Sequence, residues 1–149
     1  MNVIPVRNED DLQAARDIRT QVFVEEQDCD PEEEWDGHDE TSRHVLGIVD
    51  GTPVATARWR AVPHGEEVTA KLERFAVRPA HRGKGYGTQL VEAVLEDAKH
   101  AGFDTFVLHS QAHLEDWYEQ FGFRSTGQRF EEAGIPHVKM AKRDAARGK

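Results

Sequence analysis

Leu72-Glu73-Arg74-Phe75-Ala76-Val77-Arg78-Pro79-Ala80-His81-Arg82-Gly83-Lys84-Gly85-Tyr86-Gly87-Thr88 carries the chain out of a strand-like run, past a proline, through three closely spaced glycines and into a helical pattern. A glycine-rich turn between strand and helix brings backbone N–H groups and the positive helix end to one point, and an anion belongs there. Glycine suits the position because the backbone must approach the ligand closely and needs access to positive φ. Arg82 and Lys84 add charge suited to a diphosphate, in a chain whose net charge is -9. Spacing separates this loop from its relatives. A dinucleotide fingerprint needs G-x-G-x-x-G near the first strand and a P-loop ends in Gly-Lys-Ser/Thr, whereas here the glycines run G-x-G-x-G in mid-chain. Three glycines beside two cations also exceed what a tight turn requires.

Upstream of the loop, Asn2 to Arg7 reads as a strand, and Leu12, Ala15, Ile18 and Val22 fall on one face of a helix reaching about Glu26, capped by Asn8 or Asp10. Asp28 to Arg43 is too polar for a core and reads as a long functional loop, with one helical turn after Pro31. Strands follow at His44 to Asp50, Val54 to Val62 and Val68 to Val77. Downstream, Leu90, Val91, Val94, Leu95 and Ala98 trace an amphipathic helix over Thr88 to His100, stopped by Gly102. The contiguous Phe106, Val107 and Leu108 predict a strand over Asp104 to His109 that is buried on both faces. A short helix over Ala112 to Gln120 and strands around Phe123 to Phe130 and Ile135 to Ala141 close the fold, leaving Lys142 to Lys149 as a frayed basic tail. The order β-α-(loop)-β-β-β-α-β-α-β-β, without repeat or linker, predicts one mixed α/β domain over residues 1–149.

Hydrophobic residues make up 38% and charged residues 32% of the chain, and the apolar ones recur in patterned clusters, as in a soluble folded domain. The acidic balance argues against nucleic acid as a partner and accommodates a cationic acceptor. The lone cysteine, Cys29, excludes an internal disulfide and a multi-cysteine zinc site and fits a reducing compartment. No run approaches the ~20 apolar residues of a membrane span, and the acidic start lacks a signal-peptide core, so a cytoplasmic location without membrane partner is expected. Residues 25–40 hold ten Asp or Glu and no Lys or Arg. That stretch reads either as an acceptor mouth that attracts an amine or as solvated surface. Asp36, His38, Asp39 and His44 match no recognised metal spacing, and no metal is expected.

Arg82, Gly85 and Gly87 stand at the defined positions of Q/R-x-x-G-x-G/A, so Arg82 to Gly87 resembles the coenzyme A signature of the GNAT superfamily of N-acetyltransferases. Downstream, Trp117-Tyr118-Glu119-Gln120-Phe121-Gly122-Phe123 resembles that superfamily's Tyr-x-x-x-Gly-Phe segment. The element order matches too, so the resemblance implies a GNAT fold with a central mixed, mostly antiparallel sheet flanked by helices. Val22 to Cys29, Gln111-Ala112-His113-Leu114 and Glu132-Ala133-Gly134-Ile135-Pro136-His137 look like the ElaA/YjcF branch. Gln111 and Leu114 depart from the Asn and the small residue that many GNAT enzymes carry there, which favours the same branch.

The resemblance implies acetyl-CoA as co-substrate, with Arg82, Gly83, Lys84, Gly85, Tyr86, Gly87 and Thr88 around its pyrophosphate. It implies that the strand before the loop splays from its neighbour, so that amides near Phe75, Ala76 and Val77 bind the acetyl carbonyl and pantetheine arm. Tyr118 matches the tyrosine that protonates the departing thiolate, a role suited to a phenol of pKa about 10. Glu73, a carboxylate in a central strand, reads as a general base or as an ion-pair partner of Arg58, Arg60 or Arg74. His137 is the rival base, or a hydrogen-bonded histidine. The implied reaction moves acetyl to a primary amine of a small molecule or peptide by direct attack in a ternary complex, in a monomer or homodimer. The alternative is a catalytically silent acyl-CoA-binding sensor or partner module.

Overall fold

The computed structural model describes residues 1–144. Its frame is a seven-stranded sheet, β1 (Asn2–Pro5), β2 (Arg43–Val49), β3 (Thr52–His64), β4 (Glu67–Val77), β5 (Thr105–Gln111), β6 (Arg124–Glu132) and β7 (Ile135–Arg143), in the order β1-β2-β3-β4-β5-β7-β6. Every neighbouring pair is antiparallel except β4 with β5. That parallel pair requires a crossover, which the helix α3 (Tyr86–His100) supplies.

Helices cover both faces. On one, Ala15 and Ile18 of α1 (Glu9–Arg19), together with Val22, pack on Leu46 and Ala76. On the other, Leu90, Val91, Val94, Leu95 and Ala98 of α3 pack with Val45, Val54, Trp59, Leu72, Phe106 and Leu108. Val45 and Leu46 part to opposite faces because side chains alternate along a strand. Phe106, Val107 and Leu108 are all buried, as a doubly covered strand demands.

The sequence reading and the structure part in three places. Asn8 caps α1 by accepting the Asp11 N–H at 2.8 Å, but from Thr20 to Glu26 the helix continues as a π-helix. The short helix splits into a 3-10 turn, Ala112–Leu114, followed by α4 (Glu115–Glu119). Lys142 and Arg143, expected in a frayed tail, end β7, and Arg143 reaches Glu67 at 2.8 Å; the rest of that tail, 145–149, lies outside the described residues. The helical turn expected after Pro31 is present as α2 (Pro31–Glu34).

What opens the sheet is local to β4. Its register against β3 passes from Arg58↔Glu73 to Thr56↔Ala76, so Arg74 and Phe75 face the single residue Ala57 in a β-bulge. Arg74 sits at φ 61°, a left-handed conformation that costs a non-glycine residue about 1–3 kcal/mol. Its guanidinium is held at 3.0 Å from Glu34 and 3.2 Å from Asp36. Meanwhile β4 and β5 pair only at Ala70↔Phe106 and Lys71↔Val107, and beyond that point the strands diverge.

Candidate active site

A cleft of about 970 Å³ occupies the gap between β4 and β5, floored by Leu72 to Val77 on one side and Leu108 and His109 on the other. At one end lies the glycine loop; at the other stand Arg60, Lys71, Glu73, His109, Glu132 and His137.

The loop end is a backbone cradle. Gly83 and Gly85 both have φ +80°, and a Cβ at either would meet nothing within 4 Å. Glycine is therefore required there by the left-handed backbone and not by crowding. Gly85 is the N-cap of α3 without side-chain cap, so no side chain competes for the first-turn amides of Tyr86, Gly87 and Thr88. Gly87 packs differently, its Cβ position lying 3.5 Å from the Trp117 ring. Arg82, Gly83, Gly85, Tyr86, Gly87 and Thr88 line the cleft, whereas the exposed Lys84 does not. Arg82 donates through Nη1 and Nη2 to the Glu26 carboxylate, each at 2.6 Å, and through Nε to the Val77 carbonyl at 3.0 Å. Open space over uncapped amides at a helix start fits a diphosphate.

Phe75, Ala76 and Val77 lie on the cleft wall beyond the last β4–β5 pair, as the splayed-strand expectation requires. Tyr118, from α4, reaches the same wall and is buried against Phe75, Trp117 and Phe123, with ring centroids 6.3, 4.9 and 6.4 Å away. Burial pushes its phenol above the ordinary range, so it keeps its proton at neutral pH. Among the described residues its hydroxyl has no hydrogen-bond partner.

Glu73 is surrounded by cations: Arg60 Nε donates to its Oε1 at 2.6 Å, Arg58 Nη2 stands 3.1 Å from the same oxygen, and Lys71 Nζ is 3.5 Å from Oε2. Burial pushes its pKa up, but Arg58, Lys71 and Arg60 outweigh that and hold the carboxyl below its usual range. Of the arginines expected beside it, Arg58 and Arg60 pair with Glu73, while Arg74 reaches Glu34 and Asp36. Arg58 is wholly buried, and it also meets Asp36 at 2.6 Å and Asp39 at 2.8 Å. Asp39 and Glu34 in turn hold the buried Arg19, at 2.7 and 2.6 Å, beneath the Trp35 ring. The acidic stretch is therefore not simply solvated surface: Glu34, Asp36 and Asp39 are counter-ions to buried arginines. No spacing in the sequence announces that role, because the partners lie fifteen to more than twenty positions away.

On the opposite wall, His137 donates from Nδ1 to the Ile135 carbonyl at 2.7 Å, and its Nε2 stands 3.6 Å from Glu132 Oε2. His109 Nδ1 is 3.2 Å from Glu132 Oε1, and Phe130 packs between the rings, stacked on His137 and edge-on to His109. Glu132, which joins the two histidines in the cleft, has no sequence signal beyond its place in the Glu132-Ala133-Gly134-Ile135-Pro136-His137 segment.

Comparison with known proteins accords with this geometry. The family model for the acetyltransferase (GNAT) domain matches residues 13–143. The N-acetyltransferase YjcF of Bacillus subtilis is 35% identical over 144 residues, covering 95% of this chain and 99% of its own. ElaA of Escherichia coli is 40% identical over 134 residues, covering 88% and 86%. The crystal structure of an acyl-CoA N-acyltransferase from Pseudomonas aeruginosa superposes with a TM-score of 0.84 at 31% identity, covering 95% of this chain and 99% of that one. Fold, cleft and relatives converge: the chain belongs to the GNAT acetyltransferases, whose general activity is acyl-CoA-dependent N-acetylation.

Proposed function

We propose that this protein transfers acetyl from acetyl-CoA to a primary amine of a small molecule or peptide, by direct attack within a ternary complex. The observation that carries the reading is a single cleft with an uncapped helix start at one end, Tyr118 on its wall and a histidine–carboxylate pair at the far end. The amides of Tyr86, Gly87 and Thr88 would hold the pyrophosphate, with Arg82 reaching it on release from Glu26 and Lys84 adding charge from outside. Amides near Phe75, Ala76 and Val77 would face the acetyl group. When bound, acetyl-CoA supplies an electrophilic thioester carbonyl and a thiol leaving group.

Two proton transfers then fall to this chain. An ammonium must lose its proton before its nitrogen can attack, and His137 is the group suited to accept it: Nδ1–H is committed to the Ile135 carbonyl, so Nε2 of the neutral ring offers a lone pair. Glu73 is poorly suited, because the cations around it lower its proton affinity; it acts instead by fixing Arg58 and Arg60. As the C–N bond forms and the C–S bond breaks, Tyr118 gives its proton to the sulfur. Among the described residues no acceptor competes for that proton.

The chain is proposed to act as one cytoplasmic catalytic domain, monomeric or dimeric, without metal. Among the described residues no helix is long and apolar enough to cross a membrane. Initial rates with both substrates varied test the mechanism: intersecting double-reciprocal lines are expected, and parallel lines would replace direct attack with a covalent acetyl-enzyme. Acetyl-CoA binding without turnover across a broad amine panel would favour the silent module.

A further inference from the structure

The acceptor end of the cleft has two chemically opposed walls. On the β3–β4 wall, Arg60 and Lys71 flank Glu73 where the cleft opens. Behind them, Arg19, Arg58 and Arg74 are held by Glu34, Asp36, Asp39 and Glu73. The buried Arg19 and Arg58 spend their donors within this network, whereas Arg60 and Lys71 face the cleft. Arg60 commits only its Nε, to Glu73, and its two terminal nitrogens have no hydrogen-bond partner among the described residues. Lys71 Nζ stands no closer than 3.5 Å to a carboxylate oxygen. Both side chains are less than a fifth exposed, at 19% and 16%, and both line the cleft. Partly desolvated donors with spare N–H groups call for an anion.

The β5–β6–β7 wall has the reverse character. His137 must donate from Nδ1, because a carbonyl can only accept, which leaves Nε2 facing Glu132 Oε2 at 3.6 Å, with a lone pair whenever the ring carries one proton. In that form two acceptors converge there, with the Lys71 charge near enough to act on Glu132 from the opposite wall. A primary ammonium, with three N–H groups, satisfies both. His109 fixes the other carboxylate oxygen at 3.2 Å, and Phe130 packs both imidazoles in place.

We propose that the acceptor is an amine that also carries a carboxylate, an amino-acid-like zwitterion whose ammonium lies against Glu132 and His137 and whose anionic group lies against Arg60 and Lys71. Glu132 is then a positioning residue that fixes the ammonium beside the base. This rests on the acetyltransferase reading and narrows it, since a simple polyamine leaves the Arg60–Lys71 side unanswered and meets two cations.

The test uses the full-length protein. Acetyl-CoA is titrated first by calorimetry; then, with the protein saturated in coenzyme A, glycine, β-alanine, 4-aminobutyrate and 5-aminopentanoate are titrated beside the matching amides. At least one carboxylate-bearing amine is expected to bind about tenfold or more tightly than its amide, the span of one charge-assisted contact. In Arg60→Gln and, separately, Lys71→Gln that ratio is expected to fall toward one, with acetyl-CoA affinity serving as the check on folding. Glu132→Gln is expected to weaken amino acid and amide together. Equal binding of acids and amides, binding of neither, or a ratio untouched by both variants overturns the proposal while leaving acetyl-CoA use intact. Failure of acetyl-CoA itself to bind overturns the underlying reading instead.

Discussion

Arg82, at the head of the glycine loop, is clasped by Glu26 through both carboxylate oxygens, 2.6 Å from each terminal nitrogen, so the end of the π-helix and the start of the cradle are tied together. The ion pair holds Glu26 below the usual carboxylate range. It also places an anion beside the site proposed for a pyrophosphate. Glu26→Gln is expected to tighten acetyl-CoA binding, by a few-fold only, since the pair is exposed and such bridges are worth about 0–1 kcal/mol. Calorimetry at low and high salt checks this: the gain should shrink as salt rises, and weaker binding in the variant would show that Glu26 orients Arg82 instead of competing for it.

Gly85→Val separates folding from binding. The new Cβ meets nothing within 4 Å, so the folding cost is that of a left-handed residue, about 1–2 kcal/mol, or a melting temperature lower by roughly 2–8 °C. The side chain nevertheless stands where an anion must approach the α3 amides, and acetyl-CoA affinity is expected to fall at least about tenfold. A melting shift of that size with unchanged affinity would remove the cradle from the cofactor site.

Tyr118→Phe keeps the ring packing against Phe75, Trp117 and Phe123. Because no partner for the hydroxyl is found among the described residues, little stability should be lost. The expected result is a kcat lower by about 10²–10⁴-fold with acetyl-CoA affinity nearly unchanged. Full turnover in the variant would assign the thiolate's proton to another donor.

Arg58→Met tests the buried network. Removing one partner from a buried ion pair costs about 3–5 kcal/mol, so the melting temperature at pH 7 should drop by roughly 6–20 °C. The pH dependence carries the diagnostic sign. In the wild type, burial raises Asp36, Asp39 and Glu73, but their arginine partners outweigh it and depress all three. Their contribution is therefore full above the unfolded pKa of about 4 and lost as pH falls through the folded values. In the variant the same carboxylates lack that cation, burial raises their pKa, and protonation relieves them. The gap between the two proteins should narrow as pH falls from 7 toward 4, and a gap that widens would show that Arg58 is not their principal counter-ion.

Local patterns made the frame readable. Leu12, Ala15, Ile18 and Val22 marked the first helix, but a π-helix beyond Thr20 presents Val22 to the core as an α-helix would, so apolar spacing could not reveal the change. The glycine loop and the Tyr118 segment were legible because backbone conformation and ring packing confine residue choice within a few positions. Glu132, His109 and the counter-ions of Arg58 were not, since each acquires its meaning from a strand or loop far away in sequence. Glu73 was legible as an alternative only: a carboxylate in a covered strand needs a reason, and pairing and catalysis leave the same trace.

The clasp of Glu34, Asp36 and Asp39 on Arg19, Arg58 and Arg74 restricts how such a protein can diversify. A loop between helix and sheet would ordinarily be free to vary, yet here its carboxylates neutralise guanidinium groups rooted in α1, β3 and the bulge of β4. Exchanging it for a neutral loop would strand those charges and disturb the bulge that parts the strands. On the proposed reading, new acceptor preferences are therefore easier to reach from the far wall, where a substitution at His109 leaves both the buried charges and the proposed base in place.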